Sequence, residues 1–143
     1  MDKIILTQTD TTVGFLSQNA SRLEAVKMRP ENKSFLKVYA ELKQLKQDIR
    51  IPDLHKHRVR HSKKTTFVLK NQAFRFVSDP EHTNLIKPFG WLFSTSANKS
   101  GEKFDRDFCL QVSDIIIEDF RGLTEQSAST IFKLNTSHIK QLR

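Results

Sequence analysis

Short apolar runs recur along the whole chain, and polar clusters separate them. Runs rich in β-branched and aromatic residues predict β-strands, which we place at residues 4–6, 65–69, 73–77, 91–93, 114–118 and 131–134. The three consecutive isoleucines within residues 114–118 predict a buried strand. Apolar residues at helical spacing, or residues that cap helices, predict helices at residues 22–26, 34–47, 79–87 and 105–112. The final segment, 138–143, fits either a strand or a short helix.

The order of these elements predicts an α/β fold. Strands alternate irregularly with helices, and the two strands within residues 65–77 form a hairpin across Asn71-Gln72. That order favours an open, twisted, mixed β-sheet with flanking helices over a strict series of parallel strands. With 143 residues, the chain is expected to form a single domain spanning residues 1–143.

The chain shows no sign of a membrane or secretory segment. No run of 18 apolar residues occurs, and the apolar start at residues 4–6 is too short for a signal peptide. Cys109 is the single cysteine, so no intrachain disulfide can form, and a buried thiol in a reducing compartment is expected. We therefore expect a cytoplasmic protein.

Positive charge is concentrated in one part of the sequence. Residues 22–70 hold 14 Lys and Arg against 5 Asp and Glu, whereas the remaining residues hold 10 against 11. Such a segment suits a polyanion, either a nucleoside triphosphate or RNA, although a solvated charged surface would look the same. His55, His57 and His61 lie in this segment among lysines and arginines that would repel a cation, so we expect a basic loop over nucleotide or RNA and no metal site.

Two polar clusters are the main candidates for ligand binding. Residues 94–101 follow a strand with small and hydroxyl-bearing side chains, which are typical of a polar surface turn but also permit close approach of a ligand to the backbone. Lys27 and Arg29 leave the end of the first helix just before Pro30. They supply a flexible point charge and a bidentate fork, and a phosphate chain binds well to that pair.

Three other positions carry weaker signals. Thr9 and Thr11 follow the first strand, where α/β proteins often bind ligands, although an Asx turn at Asp10 is an equal alternative. Arg75 lies between two phenylalanines and should meet a carboxylate, in the protein or in a ligand. No phosphate-binding glycine motif occurs, so a nucleotide would have to be held by side chains.

Taken together, these motifs resemble the threonylcarbamoyl-AMP synthase family (Sua5/YrdC/YciO). The resemblance covers about residues 4–143, and its most specific part is a K-x-R and S-x-N tetrad, here Lys27, Arg29, Ser96 and Asn98. The T-D-T-x-x-G motif, the strand arginine, the late S-T pair and the terminal arginine match, in that order, Thr9 to Gly14, Arg75, Ser129-Thr130 and Arg143. The family's Trp-Pro-Gly-Pro segment is absent, its following threonine is represented by Thr66, and this chain is shorter there than typical members.

The resemblance implies an open α/β fold with a concave basic groove. It also implies a nucleotidyltransferase that joins L-threonine, bicarbonate and ATP into threonylcarbamoyl-AMP, with Mg²⁺ accompanying ATP. Downstream transfer proteins would use this product for N6-threonylcarbamoylation of a tRNA adenosine. The implied ATP-binding residues are Lys27, Arg29, Ser96, Asn98, Ser129 and Arg143, and the implied threonine-binding residues are Thr9, Thr11, Lys33, Thr66 and Arg75.

Two alternatives remain open at the level of sequence. The missing Trp-Pro-Gly-Pro segment and the shortened middle favour a non-catalytic module on the same fold that binds double-stranded RNA. The second alternative is a degenerate relative that binds nucleotide without turnover. Electrostatics alone cannot separate a nucleotide groove from an RNA groove.

Overall fold

A computed structural model describes residues 1–28 and 34–143. The fold is a twisted mixed β-sheet with flanking helices, as the sequence predicted. The strands are β1 (Ile5–Gln8), β2 (Val13–Ser17), β3 (Leu36–Tyr39), β4 (Thr65–Leu69), β5 (Gln72–Phe76), β6 (Trp91–Ser96), β7 (Ile115–Ile117), β8 (Thr130–Leu134) and β9 (Ile139–Gln141). The α-helices are α1 (Ala20–Lys27), α2 (Leu42–Asp48), α3 (Lys56–His61), α4 (Pro80–Ile86) and α5 (Arg106–Val112), and two 3-10 turns span Asp53–His55 and Lys87–Phe89. None of the helices in the described ranges combines the length and apolarity that a bilayer span requires.

The chain divides into two compact units, each built from two segments. Unit 1 comprises Met1–Phe35 and Leu92–Ser127. Its strands follow the order β7, β1, β2, β6, in which β1 runs parallel to β7 and antiparallel to β2, and β2 runs antiparallel to β6. Ile4, Leu6, Phe15 and Leu23 are fully buried between this sheet and α1.

Unit 2 comprises Leu36–Trp91 and Ala128–Arg143. Its strands follow the order β3, β5, β4, β8, β9. The β3–β5 and β4–β8 pairs are parallel, and the β4–β5 and β8–β9 pairs are antiparallel. Tyr39, Leu45, Phe67 and Phe74 form the centre of a separate core. Each unit therefore has its own apolar core beneath a mixed sheet.

Elements with local sequence signals form where the sequence predicted them. Asn19 caps α1 by accepting a hydrogen bond from the Arg22 N–H at 3.1 Å, and Asp79 caps α4 in the same way. Strands β4 and β5 form the predicted hairpin, but its turn lies one residue earlier than predicted, because Gln72 is already the first residue of β5. The turn residues are Lys70 and Asn71, with φ values of 50° and 64°. Consecutive positive φ angles give a two-residue turn the twist that a hairpin needs.

The helix predicted at residues 34–47 is wrong in its first half. Leu36–Tyr39 is a strand, and helix α2 begins only at Leu42. Val38 and Tyr39 are fully buried, and Val38 pairs with Arg75 of the parallel strand β5. Pairing with a distant strand, together with burial of a β-branched and an aromatic residue, overrides the helical spacing of the local sequence.

Two further predictions need correction. The basic stretch at residues 51–64 is not a loop, because it contains a 3-10 turn and helix α3, and His55 is buried with its ring 2.8 Å from the Asn135 carbonyl oxygen. Strand β7 was predicted to be buried, but Ile115 and Ile116 are 40% and 46% exposed. This strand lies at the edge of unit 1, where β1 covers one side of it. The final segment forms strand β9.

Candidate functional site

Lys27 and the loop after β6 come together in unit 1. Lys27 is the last residue of α1, and only 2% of its surface is exposed. Its Nζ atom donates to the Ser96 carbonyl oxygen at 2.9 Å, to the Ser96 Oγ at 3.3 Å and to the Asn98 Oδ1 at 3.0 Å. An ammonium group has three hydrogens, and here each has an acceptor. The structure thus joins Lys27 to the Ser-x-Asn pair across about 70 residues of sequence.

Asn98 is held in place by the backbone of its own loop. Its Oδ1 also accepts from the Ser96 hydroxyl, and its Nδ2 donates to the carbonyl oxygens of Lys99 and Glu102, both at 2.7 Å. The Ser100 N–H donates back to the Lys27 carbonyl oxygen at 2.9 Å. These contacts fix the loop against the end of α1. Sequence reasoning missed the contributions of Lys99 and Glu102, because a carbonyl oxygen leaves no side-chain signal.

The two candidate threonines form a tight turn after β1. Both are buried, at 5% exposure for Thr9 and 8% for Thr11. The Thr9 hydroxyl donates to the Thr12 carbonyl oxygen at 2.6 Å and accepts from the Thr11 N–H at 3.1 Å. Because that donor is already used, the 3.1 Å contact between the two hydroxyls makes Thr11 the donor to Thr9. The Thr9 hydroxyl therefore maintains the turn.

Gly14 connects this turn to the Ser-x-Asn strand. It lies opposite Ser96 in the antiparallel pairing of β2 with β6. A Cβ at this position would lie 3.0 Å from the Thr9 Cγ2 and 3.1 Å from the Thr95 carbonyl oxygen. A side chain at this position would press on both neighbours, so glycine suits the close packing. The Thr9 side chain therefore packs at the same strand end that presents Ser96.

A segment that the sequence analysis did not single out covers the threonine turn. The Gln126 N–H donates to the Thr12 Oγ1 at 2.9 Å, and the Thr124 carbonyl oxygen accepts from the Val13 N–H at 3.2 Å. The Thr124 N–H also donates to the side chain of Gln8. Only its polar, turn-like composition marks this segment in the sequence.

Cys109 contacts the backbone of the Ser-x-Asn loop through its thiol. It is fully buried in α5, and its thiol donates to the Ala97 carbonyl oxygen at 3.3 Å. Burial raises the pKa of the Cys109 thiol to about 11, so the group is neutral at physiological pH. It acts as a buried weak donor and not as a nucleophile.

A second cluster of candidate residues forms in unit 2. The hydroxyls of Thr66 on β4 and Ser129 are 2.7 Å apart. Arg143 returns beside β8, where its Nε donates to the Ser129 carbonyl oxygen at 2.9 Å and its Nη2 donates to the Ser129 Oγ at 3.3 Å. The late Ser-Thr pair, the surviving threonine and the terminal arginine are therefore neighbours.

Arg75 lies in the middle of unit 2, on β5. It is 4% exposed and is adjacent to Phe74, which belongs to the core of this unit. Successive residues of a strand face opposite sides of the sheet, so Arg75 projects away from the side that Phe74 occupies.

The candidate residues divide between the two units, and two of them lie outside the described residues. Lys27, Ser96 and Asn98 are together in unit 1, which also holds the Thr9–Thr11 turn. Thr66, Ser129 and Arg143 are together in unit 2. Arg29 and Lys33 lie outside the described residues. The ligands assigned to all of these side chains stay predictions.

The described parts of the chain contain no cluster of side chains suited to binding a metal ion. Within residues 1–28 and 34–143, no group of three His, Cys, Asp or Glu side chains is suitably arranged. His57 and His61 stack on each other, while His55 is turned inward to Asn135.

Comparison with known proteins identifies the fold and the family. The family model for Sua5, YciO and YrdC proteins, described as "Telomere recombination", matches residues 1–143. No curated protein sequence matches this chain. The crystal structure of P. abyssi Sua5 complexed with L-threonine superposes with a TM-score of 0.80 at 19% identity, over 99% of this chain and 50% of that one.

Two other solved structures share the fold. E. coli YciO superposes with a TM-score of 0.77 at 18% identity, over 99% of this chain and 82% of that chain. Full-length HypF in its phosphate- and nucleotide-bound form superposes with a TM-score of 0.76 at 15% identity, over 99% and 26%. The chain thus spans about half the length of the Sua5 structures and about a quarter of HypF.

Proposed function

Because this chain belongs to the Sua5/YciO/YrdC family, we propose that it is a nucleotide-handling enzyme that makes L-threonylcarbamoyladenylate from L-threonine, bicarbonate and ATP. The observation that carries the proposal is the contact of the Lys27 ammonium with Ser96 and Asn98. Three of the four residues of the family tetrad meet there, although they come from the two separate sequence segments of unit 1. In cells the product would serve the threonylcarbamoylation of tRNA, in the cytoplasm, through downstream transfer proteins.

In this proposal the Lys27 cluster binds the phosphates of ATP. Ser96 is the exposed member of the cluster, and its hydroxyl makes the longest of the three lysine contacts, 3.3 Å. An incoming phosphate oxygen can replace that contact and keep the other two. The ammonium then bonds to an anion in place of a neutral hydroxyl, which roughly doubles the strength of the bond. Arg29 would add the bidentate fork.

Hydroxyl groups and an arginine would bind the threonine substrate. Thr9 maintains its turn, so a direct ligand contact there falls to Thr11. The contacts of Arg75 with the substrate carboxylate, of Thr66 and Lys33 with threonine, and of Ser129 and Arg143 with ATP are carried over from the family resemblance alone. The complex of P. abyssi Sua5 with L-threonine supports a threonine ligand for this fold.

The proposed reaction depends more on alignment of the reacting groups than on a dedicated general acid or base. The amine of threonine attacks bicarbonate, and water leaves to give the carbamate. A carbamate oxygen then attacks the α-phosphorus, and the bond to pyrophosphate breaks. Both steps gain from positioned cations and hydrogen-bond donors that neutralise the growing charge on oxygen. A cluster of ammonium, hydroxyl and amide groups is suited to that task.

The direct test is pyrophosphate release. The protein is incubated with ATP and bicarbonate, with and without L-threonine, and pyrophosphate is measured. We expect threonine-dependent release that falls at least about tenfold in Lys27→Met and Asn98→Ala. Lys103→Met serves as the matched control because Lys103 is exposed and lies in the loop just beyond this cluster. Release that does not require threonine, or that survives both substitutions in folded protein, would exclude the proposal.

Binding of double-stranded RNA without catalysis remains a second candidate, and the basic character of residues 22–70 favours it. A gel-shift assay on the same preparation separates the two functions. RNA binding without threonine-dependent pyrophosphate release would support the binding module.

A further inference from the structure

Unit 2 contains a large cleft that none of the candidate site residues lines. The cleft has a volume of about 1210 Å³. It opens between α2, α3, the end of β4 and the turn that joins β8 to β9. Because every lining residue belongs to unit 2, the cleft is a feature of that unit alone.

The floor of this cleft is aliphatic. Its accessible apolar surface comes from residues such as Leu42, Ile49 and Ile51. Leu42 is partly exposed, and Ile49 and Ile51 are 8% and 9% exposed, whereas Val59 and Leu134, at 1% and 2%, add almost no surface. A ligand that covers this floor would remove apolar surface from water, which is the main favourable term in association.

The rim of the cleft is strongly basic. Among the described lining residues, six are lysine or arginine and one, Asp53, is acidic. The six cations are Lys46, Arg50, Lys56, Arg60, Lys70 and Lys133, and all of them are exposed. The single carboxylate already forms an ion pair with Lys56 at 2.5 Å. The rim therefore presents an excess of positive charge around an apolar floor.

We propose that this cleft binds an acidic amphipathic segment of a partner protein, docked as a helix. Such a helix would place its apolar stripe on the aliphatic floor and its flanking Asp and Glu residues against the basic rim. A helix with side chains is about 10–12 Å wide and rises 5.4 Å per turn, so the cleft volume suits about two turns of it. None of the residues assigned to ATP or threonine lines the cleft, so the proposal does not depend on the proposed enzymatic activity.

The lining favours a peptide over a nucleic acid. Bases bind to proteins by stacking on flat aromatic or guanidinium faces, and the guanidinium groups of this cleft, those of Arg50 and Arg60, belong to its exposed rim and not to its floor. Within the described residues, the aromatic rings that line the cleft are His57 and His61, and these stack on each other with 4.2 Å between their centroids. An aliphatic floor offers little to a base, whereas leucine and phenylalanine side chains pack well against it.

The test uses the whole chain and a defined probe. A fluorescein-labelled peptide of about 14 residues carries leucines at i, i+3, i+4 and i+7 and glutamates elsewhere, and it is long enough to fold on binding. A second peptide has the same composition in an order that breaks the apolar stripe. Anisotropy titrations at constant salt should show the amphipathic peptide binding at least about tenfold more tightly than its scrambled partner.

Three variants locate the site. Arg50→Glu and Arg60→Glu reverse exposed rim charges and should each weaken peptide binding about tenfold, as for loss of a charge-assisted contact. Lys87→Glu makes the same charge change at an exposed position of the 3-10 turn Lys87–Phe89, which does not line the cleft, and it should change affinity less than about threefold. Circular dichroism of each variant checks that the fold is retained.

Several results would overturn the proposal. Equal affinity for the two peptides would mean that charge alone binds them. Equal effects of Lys87→Glu and Arg50→Glu would show that the cleft is not the site. Tighter binding of a single-stranded or hairpin RNA, weakened by the same rim substitutions, would identify the surface as a nucleic-acid site instead.

Discussion

Lys27 is the residue on which the unit 1 site depends most. Its ammonium satisfies three oxygen acceptors around the Ser-x-Asn loop, and its side chain is almost completely buried. Removing the donor leaves those acceptors without their shared hydrogen-bond partner, at a cost of about 1–3 kcal/mol. We therefore expect Lys27→Met to lower the free energy of unfolding by that amount and also to weaken ATP binding.

Urea unfolding and ATP titration measure the two effects of Lys27→Met separately. Lys103→Met, which removes an exposed lysine, should leave both unchanged. Reduced ATP affinity with full stability would mean that Lys27 binds ATP without organising the loop. Reduced stability with unchanged ATP affinity would leave Lys27 a purely structural role.

Cys109, whose thiol contacts the same loop, should make the free energy of unfolding depend on pH. Burial raises the pKa of its thiol to about 11 from a usual value of 9.0. Above about pH 9 the unfolded chain releases this proton while the folded protein keeps it, so stability should fall as pH rises. One proton is worth about 1.4 kcal/mol per pH unit, which gives a loss of about 1 kcal/mol by pH 10.

The contribution of Cys109 is isolated by comparison with Cys109→Ala. Other groups titrate in the same range, but they do so in both proteins. The difference in unfolding free energy between the two should therefore shrink from pH 8 to pH 10. A thiol reagent at pH 8 should also react with the native protein far more slowly than with the urea-unfolded chain. A difference that stays constant with pH would contradict the raised pKa.

At the scale of elements, the β4–β5 hairpin has a turn that its sequence suits only in part. Lys70 and Asn71 both have positive φ, but lysine adopts that conformation at a cost, whereas asparagine and glycine tolerate it. We expect Lys70→Asn to raise the free energy of unfolding by about 0.5–1 kcal/mol and Lys70→Val to lower it by about 1 kcal/mol. Thermal or urea unfolding measures both, and the same sign for the two would refute the argument.

This hairpin also illustrates which elements could be predicted from sequence. The hairpin, the Asn19 cap and the Asp79 cap are local devices, because the residues that specify them are adjacent to the elements they shape. Strand β3 was mistaken for a helix because its partner, β5, lies far along the chain. The exposure of β7 depends in the same way on its place at a sheet edge, which alternation and composition do not encode.

The candidate site was predictable only as far as its motifs reach. The resemblance named Lys27, Ser96 and Asn98 as one set, and the structure brings them into contact. Nothing in the residues themselves indicated that Asn98 would be held by the carbonyl oxygens of Lys99 and Glu102. Backbone acceptors, and the packing that Gly14 permits, depend on the path of the chain and not on side-chain type.

At the scale of the whole chain, the division into units changes where the positive excess lies. The linear sequence placed the positive excess in residues 22–70, which included Lys27. By unit, the excess lies entirely in unit 2, which holds 15 Lys and Arg against 5 Asp and Glu, a net charge of +10. Unit 1 holds 9 against 11, a net charge of −2. The basic character of this protein therefore belongs to the unit that carries the cleft.

This division predicts where a non-specific polyanion binds. Heparin should protect lysines of unit 2, such as Lys46, Lys70 and Lys133, from acetylation, and should leave Lys3 and Lys103 reactive. Mass spectrometry of the acetylated protein, with and without heparin, gives the pattern in one experiment. Because binding of this kind depends on screened charge, the protection should fade as salt rises from about 0.05 to 0.5 M. Equal protection of lysines in both units would show that net charge per unit does not govern polyanion binding, and the basic rim would then lose its main electrostatic argument.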